Sequence, residues 1–130
     1  MLFYRKDLFE KAGIRMPEKP TWDDVERMAA QLHDPANGVY GITMRGKPGW
    51  GESGGQITPM AYSYGARWFD MDWKPQFSTP QHKQALEKYT AMVKQYCPPG
   101  STSNGFTACL MVFASGTSAM WSDATIAAPS

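Results

Sequence analysis

Residues 39–55 read "VYGITMRGKPGWGESGG". The first seven are rich in β-branched and aromatic side chains, which predicts a strand over 39–45. The strand runs into a glycine-rich loop, 46–55, that carries one tryptophan and one glutamate. Counted from Gly49, the loop satisfies G-x-G-x-x-G through Gly51 and Gly54, and Asp70 lies at about the 20-residue spacing of a dinucleotide-binding unit. Three features weigh against that reading. Gly46, Lys47 and Pro48 separate the strand from the motif. Glu52 would sit where a pyrophosphate must approach. Asp70 lies in an aromatic turn segment rather than at the end of a second parallel strand. The competing reading is a turn that presents Trp50 and Glu52 to some other ligand.

Upstream of the strand, Asp7–Ala12 reads as a short helix closed by Gly13. Thr21 with Asp24 three residues on forms a capping box. Trp22, Val25, Met28, Ala29 and Leu32 then fall on one face, predicting an amphipathic helix over 22–33. "DPANG" (34–38) is a turn. Downstream of the loop a weak helical pattern covers 53–64, with Pro59 placed in its first turns. "GARWFDMDWKPQF" (65–77) reads as a turn with a short hairpin or extended segment. Thr79-Pro80 starts a helix with Pro at its first position, and Ala85, Leu86, Tyr89, Met92, Val93 and Tyr96 form its apolar stripe. After a loop at 98–105, Phe106, Leu110 and Phe113 mark a further helix closed by Gly116. "TSAMW" (117–121) reads as a short strand, and "SDATIAAPS" trails off.

The chain is therefore mostly helix with two or three short strands. Ligands of α/β proteins gather beyond the carboxyl ends of strands. One predicted strand ends at the glycine loop and the other at Trp121-Ser122-Asp123. The expected site brings Arg45, Trp50 and Glu52 to face Trp121 and Asp123.

With 130 residues and 42% hydrophobic side chains, the chain has one domain's worth of core. Thirteen basic and twelve acidic side chains leave a net charge of +1 with no basic block, which argues against nucleic acid or an anionic membrane as partner. No apolar run approaches a membrane span, and "MLFYRKDLFEK" has no leader-like apolar core. His33 and His82 lack metal-ligand spacing and are expected on exposed helix surfaces, so no metal or cofactor is expected. Cys97 and Cys109 flank a short loop, a spacing equally compatible with a bridge and with two free thiols. No Ser-His-Asp order, G-x-S-x-G or Cys-His arrangement supports catalysis.

Five tryptophans, six tyrosines and six phenylalanines are many for this length and raise the case for a stacking surface. Neutral sugars and polyols are recognised by charged or amide groups that make several hydrogen bonds each, together with a ring against C–H faces. Trp50 with Glu52 and Trp121 with Asp123 share Trp-x-acid spacing. Composition alone leaves this reading level with one in which Trp50 packs on the surface and Trp121 in the core.

Several stretches in order carry a resemblance. "LFYRKDLFEKAGI", "PTWDDVERMAAQL", "VYGITMRG", "SYGARWFD", the helix after "STPQ" and "FASGTSAMWSDAT" are similar to family 1 extracellular solute-binding proteins. The G-W-G-E loop and the M-W-x-D-A-T stretch look most like the sorbitol/mannitol-type polyol binders of bacterial ABC importers. The resemblance implies a periplasmic-binding-protein fold of the second type, in which two α/β lobes joined by crossing segments hold ligand between them. This chain then corresponds to most of the second lobe, helix-rich with a small sheet of short strands, without the first lobe, the leader or the C-terminal part. It implies a periplasmic, non-enzymatic protein that passes a sugar or polyol to an ABC permease. By the same resemblance Trp50, Glu52, Trp121 and Asp123 are expected as its cleft residues, with Arg45 joining them at the mouth of the strand. A single lobe leaves apolar faces bare, so a homodimer is expected. "SGGQ" after Glu52 departs from the family pattern and leaves the start of the next helix open.

Overall fold

A computed structural model describes residues 1–128. Strand β1 (Leu2–Tyr4) pairs antiparallel with β2 (Met120–Ser122), Phe3 lying opposite Trp121. The sequence singles out only the second of these strands. The first becomes a strand because β2 offers it a ladder from the far end of the chain.

The expected strand over 39–45 does not form as a continuous ladder. This segment is extended and runs parallel to the 117–121 stretch, but it touches it only through isolated bridges, Tyr40 to Ser118 and Thr43 to Trp121. Its remaining backbone bonds scatter: the Ile42 N–H donates to the Tyr96 carbonyl at 3.3 Å. Gly41 explains the interruption. A Cβ there would fall 2.2 Å from the Ala29 carbonyl oxygen, so the chain is pressed against a helix where a ladder would need free space. Residues 41–44 are buried as a result.

Among the described residues five α-helices surround this layer. The first two, α1 (Lys6–Lys11) and α2 (Trp22–Leu32), keep their expected signals. Gly13 follows α1 at φ +68°, a left-handed value that favours glycine. Both halves of the Thr21–Asp24 capping box are made. Helix α3 (Ser53–Ser63) begins directly after Glu52 despite its glycines. Pro59 lies in the interior of α3, not in its first turns as expected. Its missing N–H leaves the Gly55 carbonyl without its intrahelical donor, on the helix side that opens toward a cleft. Helix α4 (Pro80–Tyr96) and α5 (Phe106–Ala114) follow their predicted limits closely.

Met28, Ala29, Ile42, Met44, Met60, Met92 and Met120 build the main core between α2, α3 and α4. A second cluster holds Trp121, Cys109 and Ala127 against Phe3, Phe106 and Phe113. Lys88 on α4 is ion-paired with Asp23, at 2.8 Å, and with Glu26, tying α4 to α2.

Neither histidine is a free surface residue. His82 is only 3% exposed. The hairpin at 65–77, bridged from Phe69 to Pro75, folds over the start of α4 and sets Trp68 and Phe77 against the imidazole. His33 caps the end of α2 half-buried and accepts the Gly41 N–H at Nδ1 (3.3 Å). Leu86, counted in the apolar stripe of α4, is exposed. Cys97 and Cys109 are both buried and unbridged. The expected tail beyond 128 lies outside the described residues.

Candidate functional site

Arg45 leaves the extended segment 39–45 with its carbonyl held by the Tyr89 hydroxyl at 2.7 Å. Its side chain then crosses to Asp123, 78 residues away, where Nε donates to Oδ2 at 2.9 Å and Nη2 donates to Oδ1. Asp123 follows β2 directly, so the pair joins the mouths of two extended segments, as the strand-end argument expects. The Asp123 side chain is fully buried, which two-point binding by a guanidinium compensates. Asp123 also accepts the Trp121 Nε1–H at 3.1 Å and the Ala124 N–H at 2.7 Å. The hydrogen bond to Asp123 pushes the Arg45 guanidinium above its ordinary value, outweighing burial.

The glycine loop closes on the same arginine. Arg45 Nη1 donates to the Gly51 carbonyl at 2.6 Å and lies 3.8 Å from Glu52 Oε2. That carboxylate oxygen accepts the Phe106 N–H at 3.1 Å, so Glu52 serves the N-terminus of α5. The Phe106 ring lies 5.0 Å from the guanidinium carbon, within cation–π range. The close approach of the Glu52 carboxylate requires glycine at 105: a Cβ there would meet Glu52 Oε1 at 2.6 Å.

A cleft of about 890 Å³ opens on one side of Arg45 and Asp123. Its other walls come from the start of α2 (Thr21, Trp22), from α3 and its end (Gln56, Tyr64) and from Ser122. Four of the five expected residues, Arg45, Glu52, Trp121 and Asp123, thus join one network. Trp50 stands apart: it is 75% exposed, with its ring centroid 6.0 Å from that of Trp68. Trp121 is 1% exposed and covered by Phe3, Phe106 and Phe113.

Residues 1–129 match the family described as bacterial extracellular solute-binding protein. The chain belongs to that family. As a solute-binding protein it is 51% identical over 125 residues to the mannitol-binding protein of Pseudomonas aeruginosa, covering 96% of this chain and 29% of that one. An ABC transporter solute-binding protein of Agrobacterium vitis S4, solved with bound D-mannitol, is 52% identical with a TM-score of 0.94. One from Agrobacterium radiobacter K84, in complex with ribitol, is 29% identical with a TM-score of 0.84. Each of these two superpositions covers 98% of this chain and 31% of the other. The chain thus spans about a third of the length of these solute-binding proteins and has their α/β fold over that part. These relatives are named as solute-binding proteins, not as enzymes.

Sequence reasoning missed Gln56, Tyr64 and Trp22 as cleft residues. Gln56 is 6% exposed; a lone amide in the stretch "QITPMAY" was the available signal. Trp22 reads correctly as the first residue of an amphipathic helix, and that assignment hides its second face. The Tyr64 hydroxyl is buried without a hydrogen-bond partner among the described residues, and burial raises its pKa. Among the described residues no group of three or more His, Cys, Asp or Glu could hold a metal ion, and no helix is long and apolar enough to cross a membrane.

Proposed function

We propose that the chain is most of the second lobe of a periplasmic solute-binding protein that captures a neutral sugar or sugar alcohol for import through an ABC permease. The observation that carries this reading is the cleft at Arg45 and Asp123, in a chain that superposes over 98% of its length on a solute-binding protein holding D-mannitol. The remaining cleft wall belongs to the rest of the protein. Ligand bridging both lobes favours the closed form, because it makes its full set of contacts only there. In this reading Arg45 presents its free donors to the ligand, with Asp123, Glu52 and Trp121 holding it in place. Trp50 rides on the same loop with its ring exposed and serves as the optical reporter of loop movement.

Isothermal titration of the full-length protein with D-mannitol, D-sorbitol and ribitol tests the proposal. Saturable binding without turnover is expected, with a change in tryptophan fluorescence. Absence of heat with every polyol and sugar would refute it. Stabilisation by nicotinamide dinucleotides instead would revive the phosphate-loop reading of Gly49–Gly54. The 130-residue chain by itself is expected to bind far more weakly than the full-length protein. It is also expected to pair as a homodimer through exposed aromatics such as Trp73, which light scattering would detect.

A further inference from the structure

We infer that Asp123 is a positioning residue, not a ligand contact, and that by neutralising Arg45 it sets the cleft against acidic sugars. The inference rests on the capture reading and specifies how the same wall chooses its ligand. A carboxylate offers about four acceptor positions. All four are filled at Asp123, by Arg45 Nε, Arg45 Nη2, Trp121 Nε1–H and the Ala124 N–H. No acceptor position remains for a ligand hydroxyl, although the residue stands on the cleft wall.

Arg45 is in the opposite state. Three of its five N–H donors are spent, on the two Asp123 oxygens and on the Gly51 carbonyl. One hydrogen on each terminal nitrogen is left, and the side chain is 14% exposed at the cleft. Two donors on adjacent nitrogens suit two hydroxyl oxygens of a vicinal diol. They would suit a carboxylate equally well by geometry, so charge must decide between them. Around the one guanidinium stand two carboxylates, Asp123 in direct contact and Glu52 at 3.8 Å. Asp23 at the cleft's other side shares Lys88 with Glu26, adding no free positive charge. The Met1 ammonium also lines the cleft, but it is a backbone group spent on the Asp123 carbonyl at 2.8 Å. The side chains of this wall therefore offer donors without net positive charge. It takes neutral hydroxyls and repels a carboxylate-bearing ligand of the same shape.

The test compares D-mannitol with D-mannonate, which carries a carboxylate in place of one terminal CH2OH, on the full-length protein by calorimetry. Wild type is expected to prefer mannitol by about tenfold or more, as a like charge at this range in a partly screened site requires. Asp123→Asn should weaken mannitol at least tenfold, because Arg45 loses its fixed position. It should also raise the mannonate-to-mannitol affinity ratio. Glu52→Gln, which keeps an acceptor for the Phe106 N–H, should raise that ratio without disturbing Asp123, and covers the case in which the Asp123 variant fails to fold. Equal loss of both ligands in Asp123→Asn, or an unchanged ratio in Glu52→Gln, overturns the inference. If wild type binds neither ligand, the capture reading fails on its own. The positioning role is then read from amide hydrogen exchange over residues 46–52 in the ligand-free protein. Exchange should be faster in Asp123→Asn, and unchanged exchange overturns it.

Discussion

Arg45 and Asp123 bind each other through two parallel hydrogen bonds, with the carboxylate fully buried and the guanidinium side chain partly buried. The pair fastens the end of one extended segment to the end of another. Removing one partner leaves the other's polar group buried and unpaired, which costs more than the pair itself contributes. Arg45→Met is therefore expected to destabilise the fold by about 3 kcal/mol or more. The double variant Arg45→Met/Asp123→Leu should recover part of that loss. Urea unfolding of the four proteins in a double-mutant cycle measures the coupling, and strictly additive effects would contradict it.

The glycines of the opening stretch are not interchangeable. A Cβ on Gly46 would lie 2.3 Å from the backbone oxygen of Ser101, which cannot move without shifting the 98–105 loop. One on Gly51 meets nothing within 4 Å. Gly46→Ala should cost about 2 kcal/mol or more, whereas Gly51→Ala should fall within about 0.5 kcal/mol of wild type. Thermal melts of the two variants make the comparison directly.

Lys88 holds α2 and α4 together through Asp23 and Glu26. Burial alone would lower its pKa, but the two carboxylates outweigh it and hold it above the ordinary lysine value. A raised cationic pKa stabilises the fold below the unfolded value and loses that contribution only as pH rises through the folded one. Lys88→Met should thus destabilise by about 1–2 kcal/mol, the site being partly solvated. The difference from wild type should stay flat between pH 6 and 9. A difference that vanished near neutrality would refute the assignment.

Asp24 carries the opposite sign. Hydrogen bonds from the Thr21 side chain and backbone, with Arg27, lower its carboxyl to about 2 from an ordinary 3.8. Its contribution is complete above about pH 4 and is lost as pH falls through about 2. Thr21→Ala removes the N-cap acceptor and should cost about 1 kcal/mol. It should also move the Asp24 titration midpoint upward in a carbon-detected NMR pH series.

Burial pushes the Cys97 thiol up to about 12 and raises Cys109 as well. At neutral pH both are protonated and shielded, so Ellman's reagent should label neither rapidly in the native protein and both on unfolding. Because the Cys97 folded value lies above the unfolded one, stability should decline as pH rises above 9. Rapid native labelling would show that the cluster around Cys109 opens.

What the amino-acid sequence determined by itself is local. Thr21 with Asp24, Pro80 at the head of α4, and Gly13 and Gly116 past helix ends are legible because each signal acts within about four residues. So is the order of the segments, and with it the placing of Arg45 and Asp123 at the ends of two extended stretches. Tertiary structure decided the rest. The 39–45 segment fails as a ladder because Gly41 is pressed onto Ala29. His82 is buried because the aromatic hairpin folds over it. Trp121 and Trp50, equal by their Trp-x-acid spacing, part ways: Trp121 sinks among Phe3, Phe106 and Phe113, and Trp50 stays in solvent. Whether a carboxylate faces a ligand or is already saturated depends on donors distant in sequence, and spacing alone carries no record of which donors arrive.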